Sequence, residues 1–339
     1  MNRNLRSNLL LAAGIVGGAL VARRWLKSGY SFRDRCVLIT GGSRGLGLVL
    51  ARQLAREGAR LALCARDAED LERAATDLQS RYRARPVTIA CDVTERAQVH
   101  QMIGELTDRW GRIDVLINVA GIIQTGPMEV MTIEDYEQAM KTHFWGPLYT
   151  TLAVLPLMRK QGEGRIVNIA SIGGKISVPH LLPYSASKFA LVGLSEGLRS
   201  ELAKDNIRVT TINPGLMRTG SPRNALFKGQ HRAEYAWFSI SDSLPGASMS
   251  AERAARQIIA ACRRGDAEAT LSLPALMADR MHGLFPGLTQ DVLGVVNRLL
   301  PAPGGIGTAA ATGAQSQSAW SPSIATTLTD RAAVRNNEM

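Results

Sequence analysis

The apolar positions of the chain fall into blocks of two kinds. Residues 36–39, 60–64, 86–90, 115–118 and 165–170 are short apolar-rich runs with little polar alternation, as expected of strands buried on both faces. Between them, 48–56, 67–83 and 95–110 place apolar residues three and four apart with charged residues opposite, the pattern of amphipathic helices. A further helix is predicted over 251–262 and a last strand over 269–273. Strands alternating with crossover helices predict an α/β fold, a doubly wound parallel sheet in a single domain spanning 33–273. Ligand groups should gather beyond the carboxyl ends of its strands.

The flanks follow other rules. Residues 9–22 form an uncharged run between Arg3 and Arg6 on one side and Arg23, Arg24 and Lys27 on the other. A full membrane span needs about 20 residues, a length that Trp25 and Leu26 help to approach. A cleaved signal peptide lacks a good small-residue cleavage site here, and the linker 28–31 separates the run from the domain. A single N-terminal membrane anchor over 1–32, spanning or lying at the surface, fits best, and the stronger basic cluster after the run puts the domain on the cytoplasmic side. Residues 276–300 read as an amphipathic pair of helices, at the membrane or over the mouth of a site, within an extension spanning 274–301. From 302 to 339 Gly, Ala, Ser and Thr dominate with little apolar period, which predicts a disordered tail.

Composition narrows the classes. With 339 residues, 45% hydrophobic and 20% charged, the chain is an ordinary globular protein. Of its net charge of +11, residues 1–35 carry seven basic side chains against Asp34, a charge of +6. That concentration points to a membrane-facing N-terminus and away from a nucleic-acid surface. Cys36, Cys64, Cys91 and Cys262 lack metal-ligand spacing, so no metal is expected and the thiols read as reduced and mostly buried.

The first candidate chemistry lies after the first strand. There Thr40-Gly41-Gly42-Ser43-Arg44-Gly45-Leu46-Gly47 runs into a helix. A glycine-rich turn by itself only reverses a chain, but between a strand and a helix N-terminus it forms a pyrophosphate seat, because unpaired amides and the helix dipole favour an anion. About 20 residues on, where a dinucleotide enzyme usually carries an acid for the ribose hydroxyls, the sequence has Ala65 and Arg66. Arg66 and Arg44 suit a 2′-phosphate, predicting NADP(H) over NAD(H), with Asp67 the residue that argues the other way. Two further strand ends carry Asp92-Val93 and Asn118-Val119-Ala120-Gly121, well placed for adenine and the cofactor backbone.

Tyr184 and Lys188 are four residues apart. On a helix they share a face one turn apart, a spacing that solvated helix faces also show. A fixed positive charge near a phenol stabilises the phenolate and would tune it as an acid/base.

Taken in order, the glycine turn, Asp92, Asn118 to Gly121, Ser171 at the end of a strand, Tyr184 with Lys188, and Asn213-Pro214-Gly215 followed by Thr219 resemble the short-chain dehydrogenase/reductase family over about residues 33–265. The resemblance implies one Rossmann-like domain that binds the cofactor and carries the catalysis. It implies Tyr184 as proton donor or acceptor, Lys188 as its tuner and ribose ligand, and Ser171 as partner of the substrate oxygen. Pro214, Gly215 and Thr219 would border the nicotinamide. Val119 replaces a frequent asparagine of the family, and His143 stands where the family commonly has an asparagine that helps hold a relay water. Imidazole can hold such a water and titrate near neutral pH; equally, His143 can simply pack.

The expected function is an NADP(H)-dependent oxidoreductase moving a hydride between the nicotinamide and a carbonyl or secondary alcohol. The apolar content of 216–248 suggests a lipophilic small-molecule substrate, although core packing explains the same residues almost as well. A homo-oligomer is compatible with this reading. The alternative is a non-catalytic NADP(H)-binding sensor that keeps the fold.

Overall fold

The computed structural model describes residues 29–339. The apolar run at 9–22, and with it the expected anchor, lies outside the described residues. Among the described residues no helix is long and apolar enough to cross a membrane.

Strand β1 (Cys36–Thr40) is buried along its whole length because it pairs on both edges. Its side chains alternate between two cores: Val37 and Ile39 face one layer, Leu38 the other. The same division repeats in β4 (Val115–Asn118), where Val115 and Ile117 oppose Leu116, and in β5 (Gly164–Ile169), where Val167 opposes Ile166. On one face lie α1 (Gly45–Arg56), α2 (Ala68–Tyr82) and α8 (Ala251–Arg264), which contribute Leu54, Leu71 and Ile258. On the other, α3 (Arg96–Trp110) and α5 (Gly146–Gln161) contribute Leu106, Val154 and Met158.

The chain runs from β1 outward through β2 (Arg60–Ala65) and β3 (Val87–Ala90), then returns to β4 on the opposite edge of β1. It continues through β5, β6 (Ile207–Pro214) and β7 (Glu268–Leu271), giving the order β7-β6-β5-β4-β1-β2-β3 with all pairs parallel. The reversal between β1 and β4 opens a crevice beyond their carboxyl ends, which is where a parallel sheet of this kind binds ligands.

Helix α1 begins at Gly45, earlier than the apolar period indicates, so the glycine turn feeds directly into its first turn. Gly47 explains how. A Cβ there would stand 2.0 Å from the carbonyl oxygen of Gly41, so only hydrogen lets the helix start this close to the turn. The second half of the chain adds α4 (Ile133–Met140), which leads through a π-helical turn, Lys141–Trp145, into α5. It also adds α6 (Leu182–Leu202) and α7 (His231–Ser243). The pair of helices expected within 276–300 is α9 (Leu273–Leu284) and α10 (Pro286–Asn297). They leave Leu284 and Leu288 at 71% and 57% exposure, and Leu299 just after α10 is at 82%.

The tail departs from the sequence expectation of disorder. Residues 311–312 add a strand to a small sheet with Leu226–Phe227 and Gln124–Thr125, and α11 (Thr327–Arg335) packs on α7. Ser243 donates to Thr329 at 2.8 Å, Ser239 and Ser321 hydroxyls lie 2.7 Å apart, and Ala332 and Ala333 are buried. Small side chains and hydroxyls pack here by close approach and hydrogen bonding. Neither leaves an apolar period in the sequence.

Candidate active site

Helix α6 presents Tyr184 and Lys188 from one face, as their spacing requires. The first turn of the helix starts at Leu182 with Pro183, which is suited to a position where no amide partner is needed. Lys188 is buried, and its ammonium donates to the carbonyl of Ile169 at the end of β5 (2.8 Å). Its Nζ lies 5.6 Å from the centroid of the Tyr184 ring. Burial pulls the Lys188 pKa down to about 7, with no carboxylate opposing it.

Ser171 follows β5 directly. Its Oγ accepts from the Gly173 amide at 3.0 Å, and Ser171 and Tyr184 both crowd Gly173, where a Cβ would meet Tyr184 at 3.2 Å and Ser171 Oγ at 3.4 Å. Burial raises the Tyr184 pKa above the ordinary phenol value, the neighbouring Ser171 side chain pulls it down, and the Asp242 carboxylate pushes it up. The geometry thus joins Ser171, Tyr184 and Lys188, while the phenol is held in its protonated form in this state.

His143, on the π-helical turn, is 1% exposed and its ring is fully engaged. Ser187 donates its hydroxyl proton to the Tyr184 carbonyl at 2.8 Å, so at 2.7 Å from Ser187 Oγ the His143 Nδ1 must be the donor. Nε2 accepts from the Ile122 amide at 3.1 Å. One neutral tautomer satisfies all three bonds. Burial, reinforced by the Lys188 charge, holds the imidazole pKa well below its usual value despite the Ile122 bond. The ring also meets Tyr184 edge-on, 5.3 Å between centroids.

Beside these groups lies a cleft of about 520 Å³, within the size range of small-molecule sites. Among the expected residues, Gly41, Ser43, Arg44, Gly45, Leu46, Gly47, Arg66, Asp92, Val93, Ala120, Gly121, His143, Tyr184, Lys188 and Thr219 line it. Thr40 and Asn118 instead serve beneath it. Thr40 Oγ1 accepts from the Val119 amide at 3.2 Å, and Asn118 donates to Asn168 at 2.9 Å while accepting from Thr150 at 2.8 Å, which ties β4 to its neighbours. Pro214 and Gly215 lie behind the wall. Gly215 donates its amide to the Leu271 carbonyl at 3.3 Å, and a Cβ on it would meet Ser272 and Ala275, both at 2.9 Å, rather than enter the cleft.

The electrostatics at the ribose end are also clear. Asp67 is the N-cap of α2, its Oδ1 accepting from the Asp70 amide at 2.9 Å, and it also lines the cleft. Arg66 is exposed just past the end of β2, and Arg44 lies 3.6 Å from Asp70 and 3.5 Å from Glu338. Asp70, Met217, Ser221 and Glu338 also line the cleft, and Asp242 acts on Tyr184 from α7. Met217 falls in the apolar stretch 216–248 already read as facing a substrate, whereas Asp70, Ser221, Asp242 and Glu338 were not picked out individually because none has a local motif. Asp242 and Glu338 reach the site only through the packing of α7 and α11.

The turn and cleft fit a dinucleotide. The glycines keep the floor of the seat bare, and the start of α1 supplies amides and the positive end of a helix dipole.

The family model described as short chain dehydrogenase matches residues 35–226. Dehydrogenase/reductase SDR family member 7B of Danio rerio is 35% identical over 223 residues, 64% of this chain and 72% of the relative. The Bos taurus protein of that name is 32% identical over 271 residues, 78% of this chain and 82% of its own. Among solved structures, L-sorbose reductase from Gluconobacter frateurii, complexed with NADPH and L-sorbose, aligns with a TM-score of 0.64 at 26% identity, covering 71% of this chain and 96% of that one. A gluconate 5-dehydrogenase from Burkholderia cenocepacia, in complex with NADP and tartrate, gives 0.65 at 27% identity, covering 74% and 99%. The chain belongs to the short-chain dehydrogenase/reductase family and is an oxidoreductase of that class.

Proposed function

We propose that this protein is an NADP(H)-dependent carbonyl reductase, reversible as a secondary-alcohol dehydrogenase, acting on a lipophilic substrate. The observation that carries the reading is the convergence of Ser171, Tyr184 and Lys188 beside a cleft floored by the glycine turn.

A nicotinamide bound in the cleft would supply the hydride for reduction and accept it in oxidation. Tyr184 delivers its proton to the oxygen that gains charge as the carbonyl is reduced, which its raised pKa equips it to hold until then. Ser171, beside the phenol, orients that oxygen and stabilises its developing charge. Lys188, fixed by Ile169, is placed to favour the phenolate after proton transfer and to bind ribose hydroxyls. His143, neutral and doubly bonded, positions the Tyr184 turn through Ser187.

The preference for NADP(H) rests on Arg44 in the glycine turn, on Arg66 just past β2 and on Asp67 being engaged as a helix cap. Neighbours that bind NADPH and NADP support it. A lipophilic substrate is supported by the apolar side chains of Met128, Val178, Leu182, Leu293 and Leu300 in a separate groove of about 630 Å³, which also holds the polar Glu129, Gln290, Asn297 and Arg298. Residues 1–32 serve as a membrane anchor with the domain on the cytoplasmic side, a reading supported by the apolar run and its basic flank.

The test is NADPH and NADH oxidation against a panel of lipophilic ketones and aldehydes. Turnover with NADPH well above NADH is expected, and Tyr184→Phe should lose roughly 10²–10⁴-fold in kcat while still binding NADPH. Undiminished turnover in that variant would overturn the assignment of Tyr184.

A further inference from the structure

After α11 the chain does not leave the surface. Asn336 accepts the Gly45 amide at its carbonyl (2.9 Å) and donates its side-chain amide to the Thr219 carbonyl (3.1 Å). Asn337 donates to the Ser43 carbonyl at 3.0 Å. Glu338, only 5% exposed, lies against the glycine turn so closely that a Cβ on Gly45 would fall 2.5 Å from its Oε1. Its other oxygen accepts from Asn224 at 2.6 Å and stands 3.5 Å from Arg44 Nε. Residues 336–338 therefore tie one lip of the cleft, Ser43 and Gly45, to the other, Thr219 and Asn224.

We infer that residues 336–338 are a strap across the dinucleotide site, with the Glu338 carboxylate seated at the anion position of the glycine turn, and that dinucleotide binding requires the strap to open. This rests on the cofactor reading above. A helix N-terminus and a guanidinium attract a carboxylate for the same reasons that they attract a phosphate. Of the amides at the start of α1, that of Gly45 is already taken by Asn336, and Arg44 already faces Glu338 and Asp70. Two anions in this small space would clash and repel, so strap and pyrophosphate exclude each other. Burial pushes the Glu338 carboxyl above the usual carboxylate range, against Arg44 and Asn224, so the seated anion gives up hydration that release restores. Release breaks further bonds, from Arg52 to Asn336, from Arg73 to Asn337 and from Asn337 to the Asp70 carbonyl, but the contacts of α11 with α7, such as Thr329 with Ser243, lie upstream of residue 336.

A site that is competent only when open binds with an affinity reduced by the open fraction. By linkage, cofactor binding must loosen the strap as much as the strap weakens cofactor binding. NADPH and NADH affinities should be measured by calorimetry for the full chain, for Glu338→Gln, and for the chain ending at Arg335. The shortened chain should bind NADPH more tightly, roughly tenfold for a strap open a tenth of the time. Glu338→Gln, which keeps shape but loses charge, should move in the same direction by less. In the intact chain, hydrogen exchange at the Asn336 and Glu338 amides, which bond Ala332 and Ala333 carbonyls, should speed up on saturation with NADPH. This second measurement decides the matter if the shortened chain does not fold. Weaker binding on shortening, or slower exchange with NADPH, would make the segment a clamp on bound cofactor and overturn the strap. Equal affinities with unchanged exchange would overturn the strap alone, whereas no dinucleotide binding by any form would overturn the cofactor reading and the strap with it.

Discussion

At the scale of single residues, His143 stands where the resemblance implies a relay asparagine and is a group able to titrate, yet its surroundings leave it nothing to titrate with. Its Nδ1 proton goes to Ser187 and its Nε2 lone pair receives the Ile122 amide, so a second proton would break a bond inside a dry core. The pH-rate profiles of the wild type and His143→Asn should therefore have the same shape between pH 6 and 9, with kcat lower in the variant throughout. A wild-type inflection near neutral pH that the variant lacks would show a titrating role instead. Asp242 behaves oppositely. Burial raises its carboxyl to about 7, with the Met217 amide and Arg218 opposing. A carboxyl whose folded pKa lies above its unfolded value stabilises the fold at low pH, and that contribution is lost as pH rises from about 4 through 7. Asp242→Asn should remove this fall, so at pH 8 the variant gains stability on the wild type, roughly 2–4 kcal/mol at most, relative to pH 4. Denaturation midpoints across that range check it, and a constant difference would refute it. Tyr184, Lys188 and the glycine turn were legible because their chemistry is written in local spacing. Asp242 and Glu338 were not, because Asp242 acts on Tyr184, and Glu338 reaches the cleft, from elements packed there by tertiary contacts.

At the scale of elements, the glycine turn and α1 depend on one contact more than on any side chain. Gly47→Ala would drive a methyl to 2.0 Å from the Gly41 carbonyl, which is backbone and cannot swing aside. The variant should lose on the order of 3 kcal/mol of stability, and its NADPH affinity should fall at least tenfold because the seat itself moves. Thermal denaturation and a binding titration measure the two effects, and unchanged NADPH affinity would show that the turn does not form the seat. Most strands of the large sheet were readable as apolar runs bounded by amphipathic helices. Strand β6 was not, because Thr210, Thr211 and Asn213 interrupt its apolar residues; they are buried there only because Asp266, Ser195 and Glu268 supply hydrogen-bond partners. The strands Gln124–Thr125, Leu226–Phe227 and Ala311–Thr312 are two residues long and have no period to read. The π-helical turn at Lys141–Trp145 escaped for a related reason: it changes the hydrogen-bond register inside what the sequence presents as continuous helix.

At the scale of the whole molecule, the site opens on a body whose apolar surface is unevenly distributed. Helices α9 and α10 expose Leu273, Met277, Leu284, Leu288, Val292 and Val295 together with Leu299 just beyond them, while the chain's first 35 residues hold a charge of +6 beside an uncharged run. If residues 1–32 are the anchor, vesicle binding should follow them. The full chain should float with vesicles of phosphatidylcholine and phosphatidylserine, and residues 29–339 should lose most of that binding. Salt at 0.5 M, which shortens electrostatic reach to about 4 Å, should weaken only the part carried by the basic cluster and leave an inserted run in place. Flotation of residues 29–339 equal to that of the full chain would assign membrane contact to the exposed face of α9 and α10 and remove the anchor reading.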